Sequence, residues 1–252
     1  WKSGVILAPL FALQSQLRYP VFVVDANKSW LRRRVESALR NGFMKAYDTV
    51  KVDPDDFRVQ LRAGYGLPIS TYDGVFSVPI EQLDGVALDI IHASQKLAAV
   101  EGAGLGLGGI FTILPDLGIL AGITIRTIQK LSLLYGFQFT TEDEQAELWV
   151  AAATAAGVDV GRELVERQVV KRFIPRVINA IAAQAGKEVA EKIAGRLVPL
   201  LSSAIGATLN YYFLRAWGER AMLHFRERHL ASRQQREKTI EASSLGALPP
   251  GP

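Results

Sequence analysis

Residues Glu101–Leu120 read EGAGLGLGGIFTILPDLGIL, in which an acid precedes five glycines and an apolar run is broken only by Pro115 and Asp116. A phosphate-cradling loop, a membrane hairpin and a close-packed helical turn all use such a stretch. Gly104, Gly106 and Gly109 satisfy the G-x-G-x-x-G pattern. That fingerprint needs a strand before it and an acid about 20 residues after it. Here ASQKLAAVE, residues 93–101, favours a helix, and the next acid, Asp116, comes seven residues after Gly109. A nucleotide site is therefore not expected, and no cofactor is assigned. The glycines read better as steric: Gly102/Gly106 and Gly104/Gly108 are small residues four apart, which let helix backbones approach closely.

The stretch from Gly102 to Ile125 then folds as two short apolar helices in a hairpin, with Pro115 and Asp116 at the joint. Two readings of Asp116 stand. As a cap it satisfies the first amides of the second helix. As an acid inside an apolar segment it is costly unless paired, and marks a polar functional site, with Arg126 or a base from the C-terminal helices as a candidate partner. A second uncharged run, Leu197–Leu214, is framed by Arg196 and Arg215. At 18 residues it approaches the length of a bilayer span. Its Pro199, Ser202, Ser203, Thr208 and Asn210 favour a buried helix.

Composition agrees with a membrane-edge protein. Hydrophobic residues make up 49% and charged residues 21% of 252, with mean hydropathy +0.14. The absence of cysteine excludes disulfides, zinc ribbons and thiol nucleophiles. Net charge is +4, concentrated at the two ends. Lys28, Arg32, Arg33, Arg34 and Arg40 lie in the first 40 residues, and Arg215, Arg220, Arg226, Arg228, Arg233 and Arg236 in the last 42. Two basic ends around an apolar middle suit anionic head groups or an acidic protein, with Arg32, Arg33, Arg34, Arg215 and Arg220 as head-group candidates. Aromatic residues are not interleaved with these runs, so nucleic acid is not expected as a partner.

Helical signals dominate beyond Pro79. Before it, residues 28–43 space Trp30, Leu31, Val35, Ala38 and Leu39 as a basic amphipathic helix stopped by Gly42. Residues 51–79 are rich in Gly, Pro and Asp and read as a loop-rich linker with room for a short hairpin. Pro79 opens a helix with Leu83, Val86, Ala87, Ile90, Ile91, Ser94, Leu97 and Ala98 on one face. Thr141 and Glu144 form a capping box, and Gly157 closes that helix. Asp159 caps the next, where Arg162/Glu166 and Glu163/Arg167 pair. Pro175, Gly186 and Pro199 punctuate three further helices. The expectation is an all-α, multi-helix bundle with a Gly-rich apolar hairpin: residues 1–78 form an irregular N-terminal region, 79–240 the helical domain and 241–252 a disordered tail.

Chemical motifs are sparse. Asp89 and His92 lie three apart on one helix, but carboxylate-bridged metal sites need further ligands on facing helices. No metal is assigned, and His92 reads as a solvated or hydrogen-bonded side chain. No serine sits in a nucleophile elbow.

The block VEGAGLGLGGIFTILPDLGILAGITIRTIQKLSLLYGF, residues 100–137, followed by the acid-capped helix and by GRLVPLLSSAIGATLNYYFLRAWGERAMLHF, residues 195–225, resembles the EcsC family. The Gly-rich apolar segment, the Pro-Asp joint, the Arg-containing helix ending in Tyr-Gly and the later Pro, Gly-Ala and Asn carry the resemblance over about residues 79–229. The resemblance implies Glu101, Asp116, Arg126, Tyr135 and Asn210 as polar-site candidates. It also implies a link to an ABC transporter, from whose operon the family takes its name. The resulting expectation is a non-enzymatic accessory protein, cytoplasmic and peripherally membrane-associated, with integral insertion as its variant. The alternative is a soluble helical carrier of a lipid or other hydrophobic ligand, its head held by Asp116, Arg126 and Asn210. An enzyme comes third, resting on Asp116, Asp89 and His92.

Overall fold

A computed structural model describes residues 21–105, 110–159, 170–194 and 202–246. Among them are seven α-helices and no strand: α1 (Val21–Thr49), α2 (Pro54–Tyr65), α3 (Ile80–Leu105), α4 (Ile110–Leu134), α5 (Glu142–Ala155), α6 (Val170–Ala194) and α7 (Ser202–Gly246). A single 3₁₀ turn, Asp73–Ser77, precedes α3. The protein is an all-α bundle, as its periodicity implies.

Side-chain contacts fix how the helices run. Asp84 meets Arg226, Ile91 meets Gly218 and Ala98 meets Asn210, so α3 and α7 are antiparallel. Asp84 also meets Tyr135, and Ser94 meets Thr127, so α4 returns antiparallel along α3; these two long helices pair, in place of the two short helices jointed at Pro115 and Asp116 that the sequence suggests. Gly42 lies on Gly118, and Val50 on Gly122 and Gln129, so α1 runs in the same direction as α4. The last turns of α3, the first turns of α4 and α7, and the N-terminal half of α1 therefore share one end of the bundle. The core between them is apolar and aromatic. Phe43 of α1 stacks on Trp217 of α7 at 5.8 Å, and Phe213 stacks on the same indole at 4.6 Å.

Three glycines set the closest crossings. A Cβ on Gly42 would lie 2.8 Å from the Gly118 Cα and 3.0 Å from the Ala121 Cβ. One on Gly186 of α6 would lie 3.0 Å from the Glu36 Cβ and 3.1 Å from its Cα, and one on Gly218 of α7 would lie 2.9 Å from Ile91. Helix backbones pack this near only where a side chain is missing. Gly42 and Gly186 are therefore crossing points within α1 and α6, not the stops expected of them. Pro175 also lies inside α6.

Other boundaries change for equally local reasons. The N-terminal region does not stand apart from the bundle, because Leu31, Val35, Leu39 and Phe43 are buried in the common core. The linker contains α2, which begins where the Asp53 carboxylate accepts from the amides of Asp55 and Asp56 and ends at Gly66 with φ +67°. Asp116 is not a cap: α4 begins six residues earlier and runs through Pro115 and Asp116 without a joint. The C-terminal helix continues past residue 241 to Gly246. The capping box at Thr141/Glu144 forms as expected, and Gly157, φ +74°, terminates α5. The Arg162/Glu166 and Glu163/Arg167 pairs and Pro199 lie outside the described residues.

Gly42→Ala tests the crossing, since alanine otherwise favours a helix by about 1 kcal/mol over glycine. Overpacking a tight contact costs about 1–3 kcal/mol, so urea denaturation should find this variant less stable than the parent. Gly85→Ala, where an added Cβ meets nothing within 4 Å, should be neutral or stabilising. Equal stability of Gly42→Ala and the parent would refute the contact.

Candidate functional site

One cluster of described polar side chains lies where α3 begins and α4 ends. Asp84 accepts from the Tyr135 hydroxyl at 2.7 Å and from Arg226 Nε at 2.8 Å. Tyr135 sits just after α4, where Gly136 at φ +91° and the Phe137 amide returning to the Ser132 carbonyl close the helix. His229 Nδ1 donates to the Tyr135 carbonyl at 2.9 Å, which fixes Nε2 as the unprotonated nitrogen. That Nε2 is buried without a partner among the described residues. The imidazole stacks on Phe76 at 4.7 Å, and the Arg236 guanidinium lies 4.0 Å from the centre of the Phe76 ring while pairing with Asp73. α7 is thereby tied to the 3₁₀ turn as well as to α3 and α4.

The phenol and the imidazoles of this end are pushed toward their neutral forms. Burial and the hydrogen bond to Asp84 raise the Tyr135 phenol well above its usual value, so it stays protonated. Burial lowers His229, with Arg233 and Arg236 adding to the effect against the Tyr135 carbonyl and Asp84. Burial, then Arg228, lowers His224. A phenol locked in its neutral form and a carboxylate held by two donors make a clamp rather than an acid–base pair.

The described candidates predicted from sequence, Tyr135, Asn210 and Arg126, do not converge. Tyr135 and Asn210 are both buried, at 0% and 2% exposure. They contact α3 at Asp84 and Ala98, 14 residues apart, which is about 21 Å along a helix. Arg126 is exposed on α4 beside Lys130, whose ammonium lies over Phe57. It does not share a site with Asn210. Glu101 lies in α3 and Asp116 in α4, with side chains outside the described residues. Asp89 and His92 are exposed on α3, and among the described residues no three His, Asp or Glu gather as metal ligands. Of the head-group candidates, Arg32, Arg33 and Arg34 are exposed, Arg215 is paired with Glu219 at 2.8 Å, and Arg220 is half-buried.

The family model for the EcsC protein family matches residues 31–230. The chain belongs to this family. The EcsC match begins within α1, 48 residues before the start expected from the resemblance, because α1 packs into the bundle. Protein EcsC of Bacillus subtilis (strain 168) is 28% identical over 150 residues, 58% of this chain and 63% of that protein. The uncharacterized protein YdbA of the same organism is 22% identical over 180 residues, 67% of this chain and 66% of that protein. The chain thus spans under two thirds of either relative. No solved structure matches it significantly.

The residues missed from sequence are Asp84, Arg226, His229 and Gln129. The first three look like solvated helix residues, and only the fold brings them together. Gln129 carries a readable signal, a long polar side chain within the apolar Leu117–Leu134 stretch. Its amide donates to the Val50 carbonyl and accepts from the Val52 amide, both at 3.0 Å.

The lowered histidines predict a pH dependence with a definite sign. The unfolded chain takes up protons near pH 6.5, the ordinary value, before the folded one does. Stability is therefore full above about pH 6.5 and falls as pH drops toward the folded-state values. Thermal melts between about pH 7.5 and 5.5 should show this loss. His229→Asn, whose amide nitrogen replaces the Nδ1 donor, should lose less over the same range. Equal loss in both proteins would show that His229 does not carry the effect.

Proposed function

We propose that this chain is a non-enzymatic accessory protein that docks peripherally on the cytoplasmic face of an anionic membrane, apolar end first. Its charged end then faces a membrane protein, for which an ABC transporter is the candidate that the family resemblance implies. The observation that carries the reading is the meeting of both uncharged runs at one end of the bundle. Among the described residues, the first run supplies Gly102–Leu105 at the end of α3 and the start of α4 from Ile110, and the second supplies Ser202–Leu214 at the start of α7. Toward that end Leu97, Val100, Ile119 and Tyr212 are 48%, 71%, 40% and 54% exposed. Exposed apolar side chains on α3, α4 and α7 toward one end support an interaction surface there.

The charges support the same orientation. Arg32, Arg33 and Arg34 lie on α1 before its crossing at Gly42, on the side of the apolar end, and are exposed. Trp30 lies beside them, with the Arg34 guanidinium 5.5 Å from its ring centroid. Indole and guanidinium together suit the head-group region. At the other end Arg226, Arg228, Arg233 and Arg236 are matched by Asp84, Glu147, Glu237 and Asp73, an arrangement that stays in water or meets a protein. Leu117–Leu134 is apolar and long enough to cross a bilayer, but 67% of it is buried in the bundle. That favours peripheral docking over insertion.

Cosedimentation with phosphatidylcholine vesicles with and without phosphatidylglycerol tests the reading. Binding should require the anionic lipid and weaken with salt. Each arginine near an anionic surface contributes about 1 kcal/mol, so reversing Arg32, Arg33 and Arg34 to Glu should reduce partitioning by about 100-fold. Leu97→Ser with Val100→Ser should weaken binding at every salt concentration. A protein that stays in the supernatant with anionic vesicles at low salt would sink the proposal.

A further inference from the structure

A cavity of about 430 Å³ opens where the end of α1, the 50–54 segment, the C-terminal half of α4 and the start of α5 meet. It lies away from the apolar end, and its size falls in the range of small-molecule sites. Three aromatic residues line it: Tyr47, Phe139 and Trp149. Tyr47 and Trp149 meet edge to face, with centroids 5.9 Å apart and planes at 72°. This makes a rigid corner for a third flat ring. Val52 and Ile125 extend the apolar lining.

The polar groups of the lining divide into spent and unspent. Both ends of the Gln129 amide are used on the backbone at Val50 and Val52, which holds the 50–52 segment in place. Asp53 accepts two amides at the start of α2, where the helix dipole offsets its charge. The Thr140 hydroxyl donates to Glu144. Lys51 is exposed and makes no ion pair among the described residues, and the Gln145 side chain makes no hydrogen bond there. An ammonium and an amide at the rim of an aromatic slot recognise one anionic group on a flat apolar body.

We propose that this cavity is a binding site for an aromatic carboxylate, its rings in the corner of Tyr47, Trp149 and Phe139 and its carboxylate toward Lys51 and Gln145. The site is independent of membrane docking, since it shares no residue with the apolar end. The probe is 2-naphthoate, titrated calorimetrically into the full chain, with 2-naphthalenemethanol as its neutral counterpart. One saturable site is expected, with the alcohol weaker. Lys51→Glu, a change at an exposed position, should weaken naphthoate by about tenfold or more without changing the circular dichroism or vesicle binding. Gln145→Trp should fill the slot and abolish binding of both compounds; if that variant fails to fold, Lys51→Glu and the naphthoate/alcohol ratio decide. Absence of saturable binding at millimolar naphthoate overturns the proposal. So does binding that survives Lys51→Glu unchanged, which would place the probe elsewhere, for example on Leu97, Val100 and Tyr212.

Discussion

The backbone contact between Gly42 and Gly118 is the constraint around which the bundle is organised. With no side chain on Gly42, α1 sits directly against the α4 backbone at Gly118. That depth brings Phe43 onto Trp217, so α1 also meets α7. It also presents the other side of α1, at Glu36, to the backbone of α6 at Gly186. One missing methyl group thus connects four helices. Burying a phenylalanine or leucine is worth about 1.5–3 kcal/mol, so the loss of Leu39 and Phe43 from the core would follow from losing the crossing.

The same residue type explains where the sequence misleads. Glycine ends helices because it accepts positive φ, and it permits close crossings because it has no Cβ. Gly66, Gly136 and Gly157 do the first and Gly42, Gly186 and Gly218 the second. Local sequence does not separate the two uses, since the distinction depends on a helix far along the chain. Features whose cause is local were legible: the Thr141 capping box, the Pro79 start, the amphipathic stripe of α3 and the all-α class. Leu97, assigned to the apolar stripe, is instead about half exposed, because the stripe is wider than the surface that α4 and α7 cover.

Polar sites were less legible than helices, and for a related reason. An isolated acid in an apolar run, Asp116, drew attention by its cost in a low-dielectric setting. The clamp of Asp84, Tyr135, Arg226 and His229 has no such local oddity, as three of its four members occur in segments already rich in charge. It closes the C-terminal end of α4, anchors α7 and keeps its tyrosine protonated, so its chemistry is that of a fastening. Gln129 fastens the 50–52 segment in the same way by satisfying two backbone groups at once. Both fastenings, the Asp84 clamp and the Gln129 amide, thus act near the C-terminal end of α4.

α7 is one continuous helix of 45 residues, about 68 Å long. It touches α3 at Gly218, well inside the bundle, and extends roughly 42 Å beyond that point to Gly246. A rod held in this way has mechanical advantage: a tilt of about 5° around the Gly218 contact carries its far tip through about 4 Å. The Arg226 and Arg236 pairings act as stops on that swing, so the angle at which the apolar end meets its surroundings and the reach of the charged tip are one mechanical variable.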